Sequence, residues 1–376
     1  MNKGNIVKNQ HYIPESLLEH FTNPSGKFFE VLLGVPKVYV SQPDNSMCEM
    51  YTYEHENLEV NTIENFLSNI DGEVAAQMKE VLVLMYKIKR DEVELREVKK
   101  KIDGMLHQLL VFYYRSGALL TEFSSLEKED KIPLLTKKIL DVEYILELAN
   151  TIKKFYNFAI LETQNDFLMS DQYISTAATK IKARFFDISN RHIGLTDTMI
   201  LIPISSSLYA IYWQSTNTIF KADAINTLNE TQILSINQVI INNSYVKSIC
   251  PKVERIEQVL NDFKIAFPSQ IFAGGNPRGY VTGAIKKKEV FYDPIDTSAF
   301  DMLELAGFVQ YKDLGRNDKC GCGSDKKFKK CHEDAFGRIK FVLASLGDNT
   351  IDYRIPGVRF IEEPVGSWSG YKKQQE

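Results

Sequence analysis

The chain has 376 residues, 44% hydrophobic and 25% charged, long and apolar enough to bury a sizeable core. That composition excludes a disordered chain, a collagen-like fibre and a disulfide-stapled miniprotein. Its 45 Lys and Arg against 49 Asp and Glu give a net charge of −4, so nucleic acid is not held by bulk charge and any such contact needs a local patch. No stretch reaches the roughly 18–20 uninterrupted apolar residues of a membrane span. Met1 to Gln10 lacks the apolar run of a secretory signal. A cytoplasmic protein without a membrane partner is the expectation.

In chain order, His11-Tyr12-Ile13-Pro14 leads into Leu17, Leu18 and Phe21, a short amphipathic helix. Phe28 to Leu33 and Val35 to Val40 read as two strands meeting at Gly34, a hairpin. From Asn61 the period becomes helical. Ile63, Phe66, Leu67, Ile70, Val74, Met78, Val81 and Leu82 mark one helix, and Val93 to Tyr113 a second. Leu135, Ile139, Val142, Ile145 and Leu146 mark a third, and together they predict a packed helical bundle. After Asn157 the runs shorten and become β-rich: Phe158 to Leu161, Phe167 to Ser170, Met199 to Ile204 and Leu208 to Trp213. A helix is expected through Ile233, Ile236, Val239 and Ile240, and another from Val253 to Phe267, stopped by Pro268. Residues 271–300 read as irregular, with Gly274-Gly275-Asn276-Pro277 as a loop. A short helix is expected from Asp301 to Phe308 and a small hairpin from Ile351 to Glu363. The fold class is therefore α+β: a helical bundle packed on a small β-sheet, with a small C-terminal zinc module. The divisions are 1–265, a linker region 266–310, the module 311–345 and a hairpin with tail 346–376.

Five cysteines occur, and Cys320, Cys322 and Cys331 fall within twelve residues. An odd, clustered set suits a metal site in a reducing compartment better than a disulfide framework. Cys48 and Cys250 read as ordinary core or surface thiols. The pattern Cys-x-Cys, eight residues, Cys-His offers three thiolates and one imidazole in two close pairs, a closed tetrahedral zinc shell formed by Cys320, Cys322, Cys331 and His332. With no position left for water, that zinc is structural rather than catalytic. Lys319, Lys326, Lys327, Lys329 and Lys330 offset the thiolate charge and form a positive patch on an acidic chain.

This stretch, Gly315-Arg316-Asn317 through Lys329-Lys330-Cys331-His332, resembles the SEC-C motif found at the C-terminus of the preprotein translocase motor SecA and on many unrelated bacterial proteins. The resemblance implies zinc binding and a docking tail for macromolecules, including the chaperone SecB and the ribosome. The motif usually lies near a chain end. Here the sequence continues to Glu376, so docking is expected either to involve residues 351–363 as well or to be altered by them.

A second resemblance spans much of residues 10–245. His11, Tyr12, Pro14, Leu18 and Phe21 open it. Asn61, Ile63, Glu64 and Glu73 follow, then Arg115, Ser170-Asp171 and Pro203-Ile204-Ser205. This order is similar to a bacterial domain-of-unknown-function family beginning with an HYxP signature, which implies an architecture and candidate positions. Arg115 ends the apolar run Leu109 to Tyr114, where a partly buried guanidinium must find a carboxylate or a phosphate. Asp171 ends an apolar strand, and the two are expected to be close.

Two function classes follow. The first is a zinc-binding cytoplasmic protein whose SEC-C module docks a macromolecular partner: the ribosome, another protein or nucleic acid. The second is a nuclease-like phosphodiesterase with His11, Arg115 and Asp171 as its catalytic residues and the zinc module for targeting. There is no P-loop, Gly-x-Ser-x-Gly or His-Glu-x-x-His. His107 reads as an interior histidine, and His20, His55 and His192 show no partners in sequence.

Overall fold

The computed structural model describes residues 6–32, 37–50, 53–54, 58–115, 142–179, 193, 196–215, 219–244, 246–261, 268–276, 279–288, 290, 292, 313–334 and 336–337. The chain is α+β, as its alternating periods predict. Six helices are described: α1 (Glu15–Leu18), α2 (Thr62–Ile88), α3 (Leu95–Arg115), α4 (Val142–Phe155), α5 (Glu230–Asn243) and α6 (Val253–Asn261).

Helix α2 buries Ile63, Leu67, Val74, Met78, Val81 and Met85 at three- and four-residue steps, the stripe a 3.6-residue period demands. Helix α3 changes character along its length. Its first half buries Val98, Ile102, Met105 and Leu106, and every residue from Gln108 to Arg115 is buried. Helix α4 packs against α3 and continues to Phe155 through buried Leu148, Ala149 and Ile152, beyond the expected end at Leu146. Leu135 and Ile139 lie outside the described residues.

Strands β5 (Asn157–Glu162), β7 (Ser175–Ala178), β8 (Thr198–Ser205), β9 (Leu208–Gln214) and β10 (Ile225–Thr227) form a five-stranded sheet of order β10-β5-β9-β8-β7. Within it the β10–β5 pair is parallel and the other pairs are antiparallel. Its middle strands are near-continuous apolar runs buried on both faces, the pattern of a sheet covered on each side.

A second sheet of order β3-β2-β11-β6 joins β2 (Phe28–Leu32), β3 (Lys37–Ser41), β6 (Met169–Ser170) and β11 (Lys247–Cys250), all antiparallel. The antiparallel β2–β3 pairing is as expected, and residues 33–36, where the sequence places the turn, lie outside the described residues. Strand β1 (Asn9–His11) pairs with β4 (Cys48–Met50).

Two features cover the β7 edge of the five-stranded sheet, one of them from a helix. Asn243, at the end of α5, places its amide against Thr176: it accepts from the Thr176 amide at 3.0 Å and donates to its carbonyl at 2.9 Å. A side chain thus takes the place of a neighbouring strand on β7, an edge whose backbone groups would otherwise be left unpaired. Farther along β7, Ala178 pairs with Val290 and Tyr292 through backbone hydrogen bonds of 2.7 and 3.0 Å.

One expectation is corrected. Within the stretch expected to be irregular, residues 271–276 and 279–288 are strands: β12 (Pro268–Asn276) and β13 (Gly279–Lys288) pair antiparallel, with Gly274 and Gly275 opposite Val281 and Tyr280. The β-branched and aromatic residues Ile271, Phe272, Tyr280, Val281, Thr282 and Ile285 favour strands, and their preference outweighs two adjacent glycines. The segments 262–267, 301–308 and 351–363, with the predicted ends there, lie outside the described residues. No described helix is long and apolar enough to cross a membrane.

Candidate functional site

The C-terminal cluster is built by a miniature hairpin. Lys319 bridges Lys327, and the Cys320 amide donates to the Lys326 carbonyl at 2.8 Å, so the intervening turn presents Cys320 and Cys322 on one side. Gly323 sits at φ +77°, in the left-handed region that a side chain disfavours, and lets the chain reverse immediately after Cys322. A 3₁₀ turn over Phe328–Lys330 then delivers Cys331 and His332, with the His332 amide bonded to the Phe328 carbonyl at 3.0 Å.

The four donor atoms all lie within 4.8 Å of one another. His332 Nδ1 is 3.2 Å from both Cys320 Sγ and Cys331 Sγ, and Cys322 Sγ is 3.6 Å from Cys331 Sγ. A tetrahedral zinc with its usual bond lengths spaces two sulfurs about 3.8 Å apart and a sulfur and a nitrogen about 3.6 Å apart. The donor set and its spacing therefore fit one tetrahedral ion, and this is the only such group among the described residues.

The thiols differ in environment. Burial pushes the Cys320 thiol up, to about 11. The Ser324 hydroxyl, 3.1 Å from Cys322 Sγ, holds that exposed thiol down, at about 6. The apolar support is slight: in residues 313–337 only Cys320, Phe328 and Phe336 are buried among the described side chains, the two rings meeting edge-on at 5.8 Å. Around them, Arg316 pairs with Glu333 and Lys319 with Asp325. Lys326, Lys327, Lys329 and Lys330 are exposed, with no described carboxylate in ion-pair reach.

The second constellation lies at the end of α3. Arg115 is 1% exposed. Its Nη1 donates to Asp71 Oδ1 at 2.5 Å, its Nε to the Tyr53 hydroxyl at 3.2 Å, and its Nη2 to the His11 carbonyl. The guanidinium also stacks over the rings of Tyr53 and Phe112. Gln10 fixes this corner, accepting from the Tyr53 amide at 2.8 Å and donating to Glu54 at 3.1 Å.

Burial dominates the electrostatics here. It raises the Asp71 and Glu64 carboxyls above their ordinary values, although Arg115 pulls both down. It also pushes the Tyr53 phenol up to about 12. Two side-chain atoms at this corner, His11 Nε2 and Glu64 Oε2, are buried with no hydrogen-bond partner. His11 Nε2 does lie 3.6 Å from Glu15 Oε1.

The structure thus brings His11, Glu64 and Arg115 into one cluster, and it gives Arg115 the carboxylate of Asp71. Asp171 is engaged elsewhere. Its Oδ2 accepts from the amides of Val246 and Lys247 at 2.7 and 3.0 Å, tying β6 to the start of β11. The two regions still communicate by packing, because Phe112 meets Arg115 on one side and the Tyr173 ring, at 5.4 Å, on the other. Tyr173 holds a left-handed backbone at φ +65°, an uncommon conformation for a bulky residue.

Asp71, Tyr53 and Gln10 are not evident from the sequence. Asp71 has a usable signal: it lies two turns after Glu64 on α2, beside the buried stripe. Glu73 serves the helix pair instead, accepting from Gln108, which also accepts from Gln77 at 3.2 Å. His20 finds a backbone partner, with Nδ1 3.1 Å from the Ile204 carbonyl, and His107 is half-buried within α3. Cys250 is a buried core thiol and Cys48 a half-buried one.

A family model, protein of unknown function (DUF4238), matches residues 9–252. The chain belongs to the DUF4238 family. The match opens at β1 and closes just after β11, so the DUF4238 domain takes in both main sheets, α1 to α5 and the whole Arg115 cluster. A SEC-C motif model matches residues 316–334, the span that carries Cys320, Cys322, Cys331 and His332. No curated protein and no solved structure matches the chain.

Proposed function

We propose that the SEC-C module holds one structural zinc ion and docks this DUF4238 protein on an anionic macromolecular surface. The observation that carries the reading is the closed Cys3His set beside four lysines that no described carboxylate neutralises. Three thiolates, one imidazole and a divalent ion leave no coordination position for water or substrate, so the ion shapes the module and catalyses nothing. The lysines on that rigid frame then supply the contact. The ribosome, an acidic protein and nucleic acid all present the required charge.

The test is co-sedimentation of the full chain with ribosomes, beside binding to single-stranded RNA and to an acidic protein, over a salt series. One of these partners should be retained at low salt and lost as salt rises. Replacing Lys326, Lys327, Lys329 and Lys330 together by Ala should abolish that retention. Retention unchanged by salt and by the four substitutions would overturn the reading.

The phosphodiesterase reading, centred on His11, Arg115 and Asp171, has two supports: Arg115 bonds the backbone carbonyl of His11, and His11 Nε2 carries no hydrogen bond. Against it, Arg115 is already neutralised by Asp71, and Asp171 caps two backbone amides. Asp71 and Glu64 both lie within the field of this guanidinium, so carboxyls already occupy the place a phosphate would need. Labelled RNA and DNA incubated with the protein, and with His11→Ala and Asp171→Ala, decide the matter. Cleavage lost in both variants would establish the enzyme.

A further inference from the structure

The four donor atoms of the metal centre are unequally protected, and the inequality has a chemical direction. Cys320 is 4% exposed and directly follows the Lys319–Lys327 bridge, with its amide bonded to the Lys326 carbonyl. Cys322 is exposed and Cys331 half-buried. The two exposed-side sulfurs are 3.6 Å apart, and the Ser324 hydroxyl touches both, at 3.1 and 3.3 Å. Small oxidants therefore reach one edge of the tetrahedron, the Cys322–Cys331 edge, before they reach Cys320.

From this geometry we infer that the module is a peroxide-sensitive latch, in which Cys322 and Cys331 join as a disulfide and release the ion. The inference rests on the zinc reading above. The Cys322 sulfur attacks one oxygen of hydrogen peroxide. An S–O bond forms, the O–O bond breaks, and the departing hydroxide takes a proton to become water. Cys331 then attacks the oxidised Cys322 sulfur. The S–S bond forms, the S–O bond breaks, and a second water leaves after protonation. Two thiolates have lost two electrons and one peroxide has gained them.

The consequence follows from the module's lack of a core. Losing two of four ligands removes the ion, and Cys320, Phe328 and Phe336 are too few to hold residues 313–337 together. The lysine frame then loses its shape. Oxidation thereby becomes a signal that detaches the chain from whatever the module holds, and a dithiol with fresh zinc reverses it. Cys250, buried and with its thiol pushed up to about 12 by burial, lies outside this chemistry.

The test uses the full-length, zinc-loaded protein. Zinc content is measured first. Hydrogen peroxide is then titrated in while a chromogenic chelator reads released zinc, and peptides are mapped without reduction. The expected result is loss of the bound zinc in proportion to a Cys322–Cys331 linkage, restored by dithiothreitol and zinc. Zinc retained while peroxide is consumed, or a first linkage that includes Cys320, would overturn the inference. Absence of zinc before oxidant is added overturns the metal reading instead. A Cys48→Ser protein, altered at a half-buried thiol outside the module, should release zinc under peroxide as the unaltered chain does, and zinc retained there would also overturn the latch.

Discussion

Arg115 and Asp71 form a buried ion pair, Nη1 to Oδ1 at 2.5 Å, joining the last residue of α3 to the middle of α2. The guanidinium is 1% exposed and the carboxylate side chain 21%. Charges are taken this far from water only when their hydrogen bonds are met, and Tyr53 and the His11 carbonyl complete the set. The pair fastens β1, the residue 53–54 segment and two helices at one point.

Asp71→Ala should destabilise the DUF4238 domain by about 3–5 kcal/mol, because it leaves Arg115 charged, buried and unpaired. Replacing both partners, Arg115→Met with Asp71→Leu, should recover most of that loss. Urea denaturation of the single and double variants measures it. A single variant as stable as the parent would contradict the buried pair.

Glu64 gives a pH prediction with a definite sign. Burial raises its folded value above that of the unfolded chain, so the folded state binds the proton more tightly. Stability must then fall as pH rises from the ordinary glutamate value through the raised one. Glu64→Gln should therefore be more stable than the parent at neutral pH. The advantage should vanish below the ordinary glutamate value. Melting temperatures across a pH series provide the check, and a variant that is less stable at neutral pH would refute the assignment.

Asn243 is 1% exposed and bonded to both backbone groups of Thr176. Asn243→Ala removes both of these hydrogen bonds from the buried backbone of β7, at a cost of about 1–3 kcal/mol. Amide exchange at Thr176 should accelerate in the variant more than at β9 in the middle of the sheet. Equal changes at the two strands would show that the side chain does not guard this edge.

The long elements were legible because their apolar spacing is unambiguous. Helices α2 and α3 and strands β5, β8 and β9 follow directly from period and residue type. Strands β1, β4, β7, β10 and β11 were not. Ser175–Ala178 carries no apolar alternation, and Asn243, distant in sequence, supplies two of its hydrogen bonds. The Cys3His cluster was legible for the opposite reason, since its four side chains and turn lie within a few residues of one another. The Arg115 site was half legible. An arginine closing the apolar run Leu109 to Tyr114 announces a buried partner, yet which carboxylate answers depends on how α2 packs against α3. Asp71 wins over Asp171 because it projects from the neighbouring helix, while Asp171 is held by the amides of Val246 and Lys247.

Zinc removal should act locally. A chelator should abolish protection in residues 313–337, whose described core is two phenylalanines and one cysteine, and leave the melting of the DUF4238 domain in place. Hydrogen exchange with and without chelator separates the two. Collapse of both regions together would show that the module is integral to the larger domain's stability.

On the proposed reading, the shape and the chemistry of the C-terminal module both depend on one ion that Cys320, Cys322, Cys331 and His332 would hold. Native mass spectrometry of the full chain, purified without chelator, weighs that ion directly. One zinc per chain, lost when Cys320→Ala and His332→Ala are combined, is the predicted result. A chain that carries no zinc, or that keeps its full complement after both substitutions, would contradict it.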